Sequence, residues 1–264
     1  MAWWLWVPLT RIFSRPKTVI PGIAGMTTYP PRIRGAWLAI ETLLRQSFRP
    51  SHIILVLNVE EFPRKRLPWK IREQTTRGLS IMWIETNGRS YDKLLPVWRT
   101  FPELPILTFD DDKVFPRTLV ERLWTRHLLS PTHIVGARGW KIQRTDDGEI
   151  RFADNWVRVS SHLVGEDLHL PGGNGTLYPP GSLSEEVADG EAALRICPTT
   201  DDIWIWGAAL KIGSVFECLG MDAHDVVQQQ KNTPALSDLN HTTEESQFQA
   251  AVHYFSLGER LARV

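Results

Sequence analysis

The chain has 264 residues, 42% of them hydrophobic and 23% charged, which excludes a disordered chain and gives length for one sizeable α/β domain or two small ones. Lys+Arg and Asp+Glu both number 30, and this zero net charge argues against a domain built to hold nucleic acid. Two cysteines, Cys197 and Cys218, supply neither a disulfide framework nor metal-ligand spacing, so a reducing, cytoplasmic setting is expected.

Three of the 12 tryptophans, Trp3, Trp4 and Trp6, crowd the start of the chain. Residues 2–9 are too short to span a bilayer, which takes roughly 20 apolar residues. They also lack a small-residue cleavage site before Arg11. Residues 1–17 therefore read as a Trp-rich arm. With Arg11, Arg15 and Lys17 it suits either the inner face of the cytoplasmic membrane, as a peripheral contact, or packing on its own domain or a partner subunit.

Residues 19–26 form a short apolar run broken by Pro21 and Gly22 and predict a first strand. Two prolines make 27–33 a loop. Trp37, Leu38, Ile40, Leu43 and Leu44 fall at helical spacing. Residues 53–57 predict a second strand, 60–70 a basic surface loop, 79–84 a third strand and 91–98 a short amphipathic helix. The run 106–109 is a fourth strand that ends in Asp110, Asp111 and Asp112. A helix over 119–129 and a strand over 133–137 follow. Residues 140–144 and 150–152, joined through the Asp-Gly turn at 147–148, predict a hairpin. Residues 170–181 are a Gly/Pro-rich loop, 192–196 a brief helix, 201–210 a helix capped by Thr200 or Asp201, and 244–262 a C-terminal helix.

Strands alternating with helical or loop segments predict βαβ units and a mostly parallel sheet with a small antiparallel extension. Ligands then bind at the carboxyl ends of the strands, where 27–32, 58–60, 87–91 and 110–112 converge. Three adjacent carboxylates repel one another, and a hard divalent cation with oxygen ligands is their natural partner. An acidic turn facing water is the plainer alternative.

Six stretches taken in order, TTYPPRI at 27–33, PSHIIL at 50–55, SYDKLLP at 90–96, LTFDDD at 107–112, GNGTLYPP at 173–180 and PTTDDIW at 198–204, resemble a bacterial glycosyltransferase of the family 2-like group with the GT-A fold. The resemblance covers about 18–210. It implies a GT-A domain over 18–215, with a nucleotide half to about 137 and an acceptor half from 138, followed by a C-terminal helical extension, 216–264. It also implies an inverting transfer from a nucleoside-diphosphate sugar, UDP-linked by analogy, to a hydroxyl of a glycan or glycolipid. Lipopolysaccharide, capsule or exopolysaccharide assembly in the cell envelope is the setting such enzymes serve.

Carried onto this chain, the resemblance puts Mn²⁺ or Mg²⁺ of a DxD-type motif on Asp110 and Asp112, with His241 as a further metal ligand, and Asp110 and Asp111 beside the donor. Thr27, Tyr29 and Arg32 would hold the nucleotide, and Ser90, Tyr91 and Lys93 would face the donor. Asp202 would be the base that takes the acceptor proton, with Asp201 orienting it. Asp201 departs from the glutamate often found there in the family. Gly173, Asn174, Gly175 and Tyr178 would form a mobile lid near the acceptor, and Trp204 with Trp206 a sugar-stacking face. Each has a plainer alternative: surface Arg32 and Lys93, a helix cap at Asp201–Asp202, a surface loop at 172–180, core tryptophans and an exposed His241.

Three rival functions bear on the same residues. An Asp-x-Asp-x-Val pattern at 110–114 also fits a HAD-like phosphatase, but that motif belongs on a first strand, and about 100 residues precede it here. A nucleotidyltransferase also uses paired carboxylates, but with a Gly-rich basic loop that 27–32 is not. A catalytically silent sugar-binding module would have no use for both acidic sites.

Overall fold

The structure is a computed structural model that describes residues 18–153, 156–222, 227–228 and 243–263. The arm with Trp3, Trp4 and Trp6, and His241, lie outside the described residues. The first half folds as β1 (Thr18–Thr27), β2 (Phe48–Asn58), β3 (Leu79–Ile84) and β4 (Ile106–Phe109). These strands pair in parallel in the order β3-β2-β1-β4. Helices cover both faces, so the middle of the sheet is apolar; Ile53, Leu55, Val56 and Leu57 of β2 are all buried. Each such side chain contributes roughly 1.5–3 kcal/mol by leaving water. Just past the acidic turn, β5 (Lys113–Val114) pairs with β13 (Val227–Gln228) as a separate antiparallel ribbon.

Helix α1 (Ile33–Leu44) starts directly behind the prolines, which cannot donate to an interior helical ladder. Ile33, Ala36, Ile40, Leu43 and Leu44 recur at helical spacing and bury against one face of the sheet, where α4 (Leu119–Leu129) also packs. The other face carries α3 (Leu95–Thr100), α5 (Gly190–Ile196) and α6 (Asp201–Lys211). The helix expected over 91–98 is split into a 3₁₀ turn, Arg89–Lys93, and α3. Pro96 sits in the first turn of α3, where a missing N–H is harmless.

The second half adds β6 (Ile134–Gly136), β9 (Leu163–Gly165), β11 (Asn174–Tyr178) and β12 (Phe216–Cys218), giving an eight-stranded sheet ordered β3-β2-β1-β4-β11-β6-β12-β9. β11 runs antiparallel to both β4 and β6, and β12 parallel to β6. A smaller antiparallel sheet joins β7 (Trp140–Lys141), β8 (Val157–Arg158) and β10 (Leu168–His169). The expected α/β architecture, mostly parallel with an antiparallel extension, is the one found.

Four expectations need correction. The hairpin over 140–152 does not form: β7 pairs with β8 and β10, and only a turn closed by the Thr145 N–H bond to the Glu149 carbonyl remains of it. The Gly/Pro-rich stretch is no lid, because residues 174–178 are a fully buried central strand. A boundary after 215 cuts the sheet, since β12 pairs with β6. The C-terminal helix is Glu244–Tyr254; Ser256, with φ of 56°, breaks it before a last turn at Gly258–Leu261. Its Phe248 and Ala251 share one core with Trp204 and Trp206. Among the described residues no helix is long and apolar enough to cross a membrane.

Candidate active site

Strand order reverses between β1 and β4, and open α/β sheets bind ligands in the crevice at such a point. Here the crevice is a cavity of about 820 Å³. The carboxyl ends of the parallel strands supply Thr27 to Arg32, Asn58, Asn87 and Asp110. β11 is antiparallel, so its first residue, Asn174, pairs with Phe109 at the same edge. The start of α6 brings Asp201 and Asp202 to the cavity from the other half.

Asp110 directly follows β4 and sits between two ammonium groups, Lys93 Nζ at 3.1 Å and Lys113 Nζ at 2.8 Å. Burial raises its pKa, but Lys113 and Lys93 outweigh that and hold it well below the usual carboxylate range. Asp111 accepts a short hydrogen bond from the Thr28 hydroxyl and lies 3.2 Å from Arg32 Nη1. Burial pushes Asp111 up to about 6 against those partners. Asp112 meets the same Arg32 Nη1 at 3.2 Å. Loop β1–α1 thus clamps two of the three carboxylates through one guanidinium, which solves their repulsion without opening the turn to water.

Lys93 ties the halves together. Its Nζ is also 2.9 Å from Asp201 Oδ2, so one buried cation bridges the β4 carboxylate and the α6 carboxylate. Burial alone would lower its pKa, but Asp110, Asp201 and Asp202 raise it well above the ordinary lysine value. Asp201 is pushed up by burial, with Lys93 opposing. Asp202 Oδ1 accepts the Gly172 N–H at 2.9 Å, which orients the carboxylate in the first turn of α6. Thr200 is the N-cap residue, but its hydroxyl donates to Gln247 rather than back to the helix.

Two glycines are required by close approach. A Cβ on Gly173 would lie 1.8 Å from the Asp110 carboxylate, and one on Gly25 would lie 2.1 Å from the Lys93 carbonyl oxygen. The second lets the 3₁₀ turn settle onto β1 and deliver Lys93.

Thr27, Tyr29, Arg32, Ser90, Lys93, Asp110, Asp111, Asp112, Asp201 and Asp202 all line the cavity. Ser90 Oγ is buried there without a hydrogen-bond partner among the described residues. Tyr91 does not face it: its hydroxyl donates to the Cys197 carbonyl at 2.7 Å inside the core. Asn174, Gly175 and Tyr178 belong to the buried strand β11, and neither they nor Gly173 just before it line the cavity, which corrects the expected acceptor contact. Trp204 is a core residue packed at a tilt against Tyr254 and Phe255, its indole N–H on the Val187 carbonyl; it and Trp206 are buried and offer no stacking face.

Sequence reasoning missed Asp92, Lys113, and an aromatic wall of Trp140, Phe152, Trp156 and His169. Asp92 is buried and accepts the Gly88 N–H; burial pushes it to about 7. Burial also takes His169 down to about 4, and its Nε2 has no partner among the described residues. These residues come from loops and short strands whose local pattern carries no signal. Only the aromatic density of 152–156 hints at them.

A hard cation suits the oxygen-only donors of Asp110 and Asp112. Among the described residues, however, no three His, Cys, Asp or Glu side chains converge as a cage. Asp110 is held here by Lys93 and Lys113, and Asp112 by Arg32; a Mg²⁺ or Mn²⁺ on these carboxylates would need its other ligands from a bound phosphate and water.

Fold and crevice together define an α/β protein of the GT-A type. No family model and no curated protein matches the sequence. Among solved structures, S. aureus TarS 1–349 in complex with UDP-GlcNAc is similar, with a TM-score of 0.56, 11% identity, and 91% of this chain and 66% of that one covered. S. aureus TarS 1–349 in complex with UDP gives a TM-score of 0.49 at 9% identity, over 77% of this chain and 59% of that one. At such identities the likeness is one of fold, and this chain spans under two thirds of those structures.

Proposed function

We propose that this chain is a metal-dependent, inverting glycosyltransferase that moves a sugar from a nucleoside-diphosphate sugar to a hydroxyl of a glycan or glycolipid. The observation that carries this reading is the convergence of Asp110–Asp112 and Asp201–Asp202 on one cavity at the strand-order reversal. UDP-GlcNAc in the structurally similar TarS complex supports a UDP-linked donor.

In this reading Thr27, Tyr29 and Arg32 hold the nucleotide, with Asp111 beside the ribose. Asp110 and Asp112 would hold the metal, which when bound would supply positive charge to the leaving diphosphate. Asp202, fixed by Gly172, removes the proton of the acceptor hydroxyl. That oxygen bonds to the anomeric carbon as the carbon–oxygen bond to the diphosphate breaks, through a transition state with oxocarbenium character. The diphosphate leaves with the bonding pair, close to Lys113 and Arg32. One base and a single displacement give inversion. The wall of Trp140, Phe152 and Trp156 offers ring faces to the acceptor sugar.

The test has two arms. UDP, with Mn²⁺ present, raises the melting temperature, and Asp112→Ala removes that shift; an unchanged shift sinks the metal assignment. Asp202→Asn keeps the shift and loses transfer by about 10²-fold or more. Retained turnover removes Asp202 as the base.

A further inference from the structure

The loop after β2 and the start of α2 (Trp69–Thr75) build a second feature outside the cavity. Pro63, Arg64, Lys65 and Arg66 are exposed in succession, and Trp69 is 65% exposed. The turn that displays them holds Arg64 and Lys65 in the left-handed region, at φ of 64° and 51°. Beside it runs a groove of about 700 Å³ with Ile33, Trp37, Phe62, Leu67 and Trp69 in its walls and Arg34, Arg66 and Lys70 among its lining cations. Lys70 Nζ stands 3.5 Å above the Trp37 ring. Among the described residues no carboxylate pairs with Arg34, Arg64, Lys65, Arg66 or Lys70. Of the nearby acids, Glu61 is engaged by Asn87 and Glu60 is exposed.

On an electroneutral chain this is a local concentration of positive charge around an unburied indole. Cations alone would suit any polyanion. A large exposed indole, with Leu67 and Pro63 interleaved among the cations, suits a boundary that is anionic on one side and apolar on the other. That boundary is the headgroup layer of an anionic bilayer, where tryptophan is favoured and each nearby cation adds attraction. The placement has a consequence for the cavity. The loop leaves the sheet from Asn58, at the edge that carries Asp110, and Glu61 lines both the groove and the cavity.

We propose that this face docks on an anionic lipid surface, with Trp69 seated among the headgroups and Arg64, Lys65 and Arg66 against lipid phosphates. Docking there holds the mouth of the cavity at the membrane surface, within reach of a lipid-borne hydroxyl. Lipid binding itself does not depend on the glycosyltransferase reading.

Flotation of the full chain with phosphatidylcholine vesicles, with and without phosphatidylglycerol, tests it. The chain floats with the anionic vesicles only, and added salt releases it. Arg64→Gln/Lys65→Gln/Arg66→Gln weakens binding by about a hundredfold, at roughly 1 kcal/mol per charge near the surface, and Trp69→Ala weakens it by about tenfold. Circular dichroism melting and the UDP-induced thermal shift of both variants stay as in the parent, which separates lost docking from lost folding. The proposal is overturned if the chain ignores anionic vesicles or binds neutral ones equally. It is also overturned if both variants bind as the parent does, which assigns binding to another face. Tighter binding to heparin or an oligonucleotide than to the vesicles, lost in the triple variant while Trp69→Ala has no effect, makes the patch a polyanion site instead.

Discussion

Lys93 is the residue on which both acidic sites depend. It is buried with Asp110 at 3.1 Å and Asp201 at 2.9 Å, and Asp202 adds to the field that keeps it charged. Removing one partner of a buried ion pair is costly because the charge left behind has no water to turn to. Lys93→Met therefore costs about 3–5 kcal/mol of stability, measured by chemical denaturation. Asp201, which Lys93 holds down against burial, rises further in that variant. A variant as stable as the parent would show that the bridge is not populated in solution. Lys93 also marks where sequence reading is weak. On the local pattern it is a solvated helix residue as readily as a site residue, and only the packing of its turn onto β1 decides.

At the scale of elements, that packing rests on Gly25. Its absent side chain is what allows the turn Arg89–Lys93 to lie against β1. Gly25→Ala must push the turn off the strand, and overpacking of this kind costs about 1–3 kcal/mol. The same shift withdraws Lys93 from Asp201, so UDP binding and transfer fall together with stability. Gly190→Ala is the control: a Cβ there meets nothing within 4 Å, and its effect stays within about 0.5 kcal/mol. Thermal melts of the two variants, with and without UDP, check the contrast.

The same elements show what is legible in the sequence. β3, β4 and α4 are readable to the residue, because continuous apolar runs and a 3.6-residue period report burial directly. The strand tip at Asp110 and the acidic start of α6 are readable because charge that abruptly follows an apolar run marks where a buried strand emerges, and acids at a helix start complement its dipole. β11 is not. Glycine and proline at 171–181 signal a loop, yet the stretch is buried because Gly172 and Gly173 must pass close to Asp202 and Asp110. Composition describes what a segment can do alone; here the neighbours dictate it. Tyr91 misleads for a similar reason: its motif points to the donor, but its direction is set by the Cys197 carbonyl in the core.

The molecule as a whole is electroneutral, but its buried carboxylates are pulled in opposite directions, and that sets how its stability varies with pH. Glu41 is buried; burial would raise its pKa, but hydrogen bonds from Arg77, Gln74 and Arg45 bring it down to about 2. A carboxylate lowered on folding stabilises above its unfolded value and loses that contribution as pH falls through its folded one. Glu41 thus supplies about 3 kcal/mol that disappears between roughly pH 4.5 and 2. Asp92 works the other way. Its folded value of about 7 lies above the unfolded one, so the native state binds the extra proton. Stability from this residue is greatest in acid and declines as pH rises from about 4 to 7. The two slopes oppose each other, and their sum is greatest near about pH 4; Asp111, raised to about 6, adds to the decline above that, and His169, lowered to about 4, opposes it. Asp92→Asn keeps an acceptor for the Gly88 N–H, so it flattens the neutral side of the curve and raises the melting temperature at about pH 8. Glu41→Gln flattens the acid side and lowers stability at about pH 7, since Arg77 and Arg45 lose their carboxylate. Melting curves of the parent and both variants from about pH 3 to 8 decide it: an Asp92→Asn curve parallel to the parent's removes Asp92 as a source of neutral-side slope, and a Glu41→Gln curve parallel to the parent's removes Glu41 from the acid side.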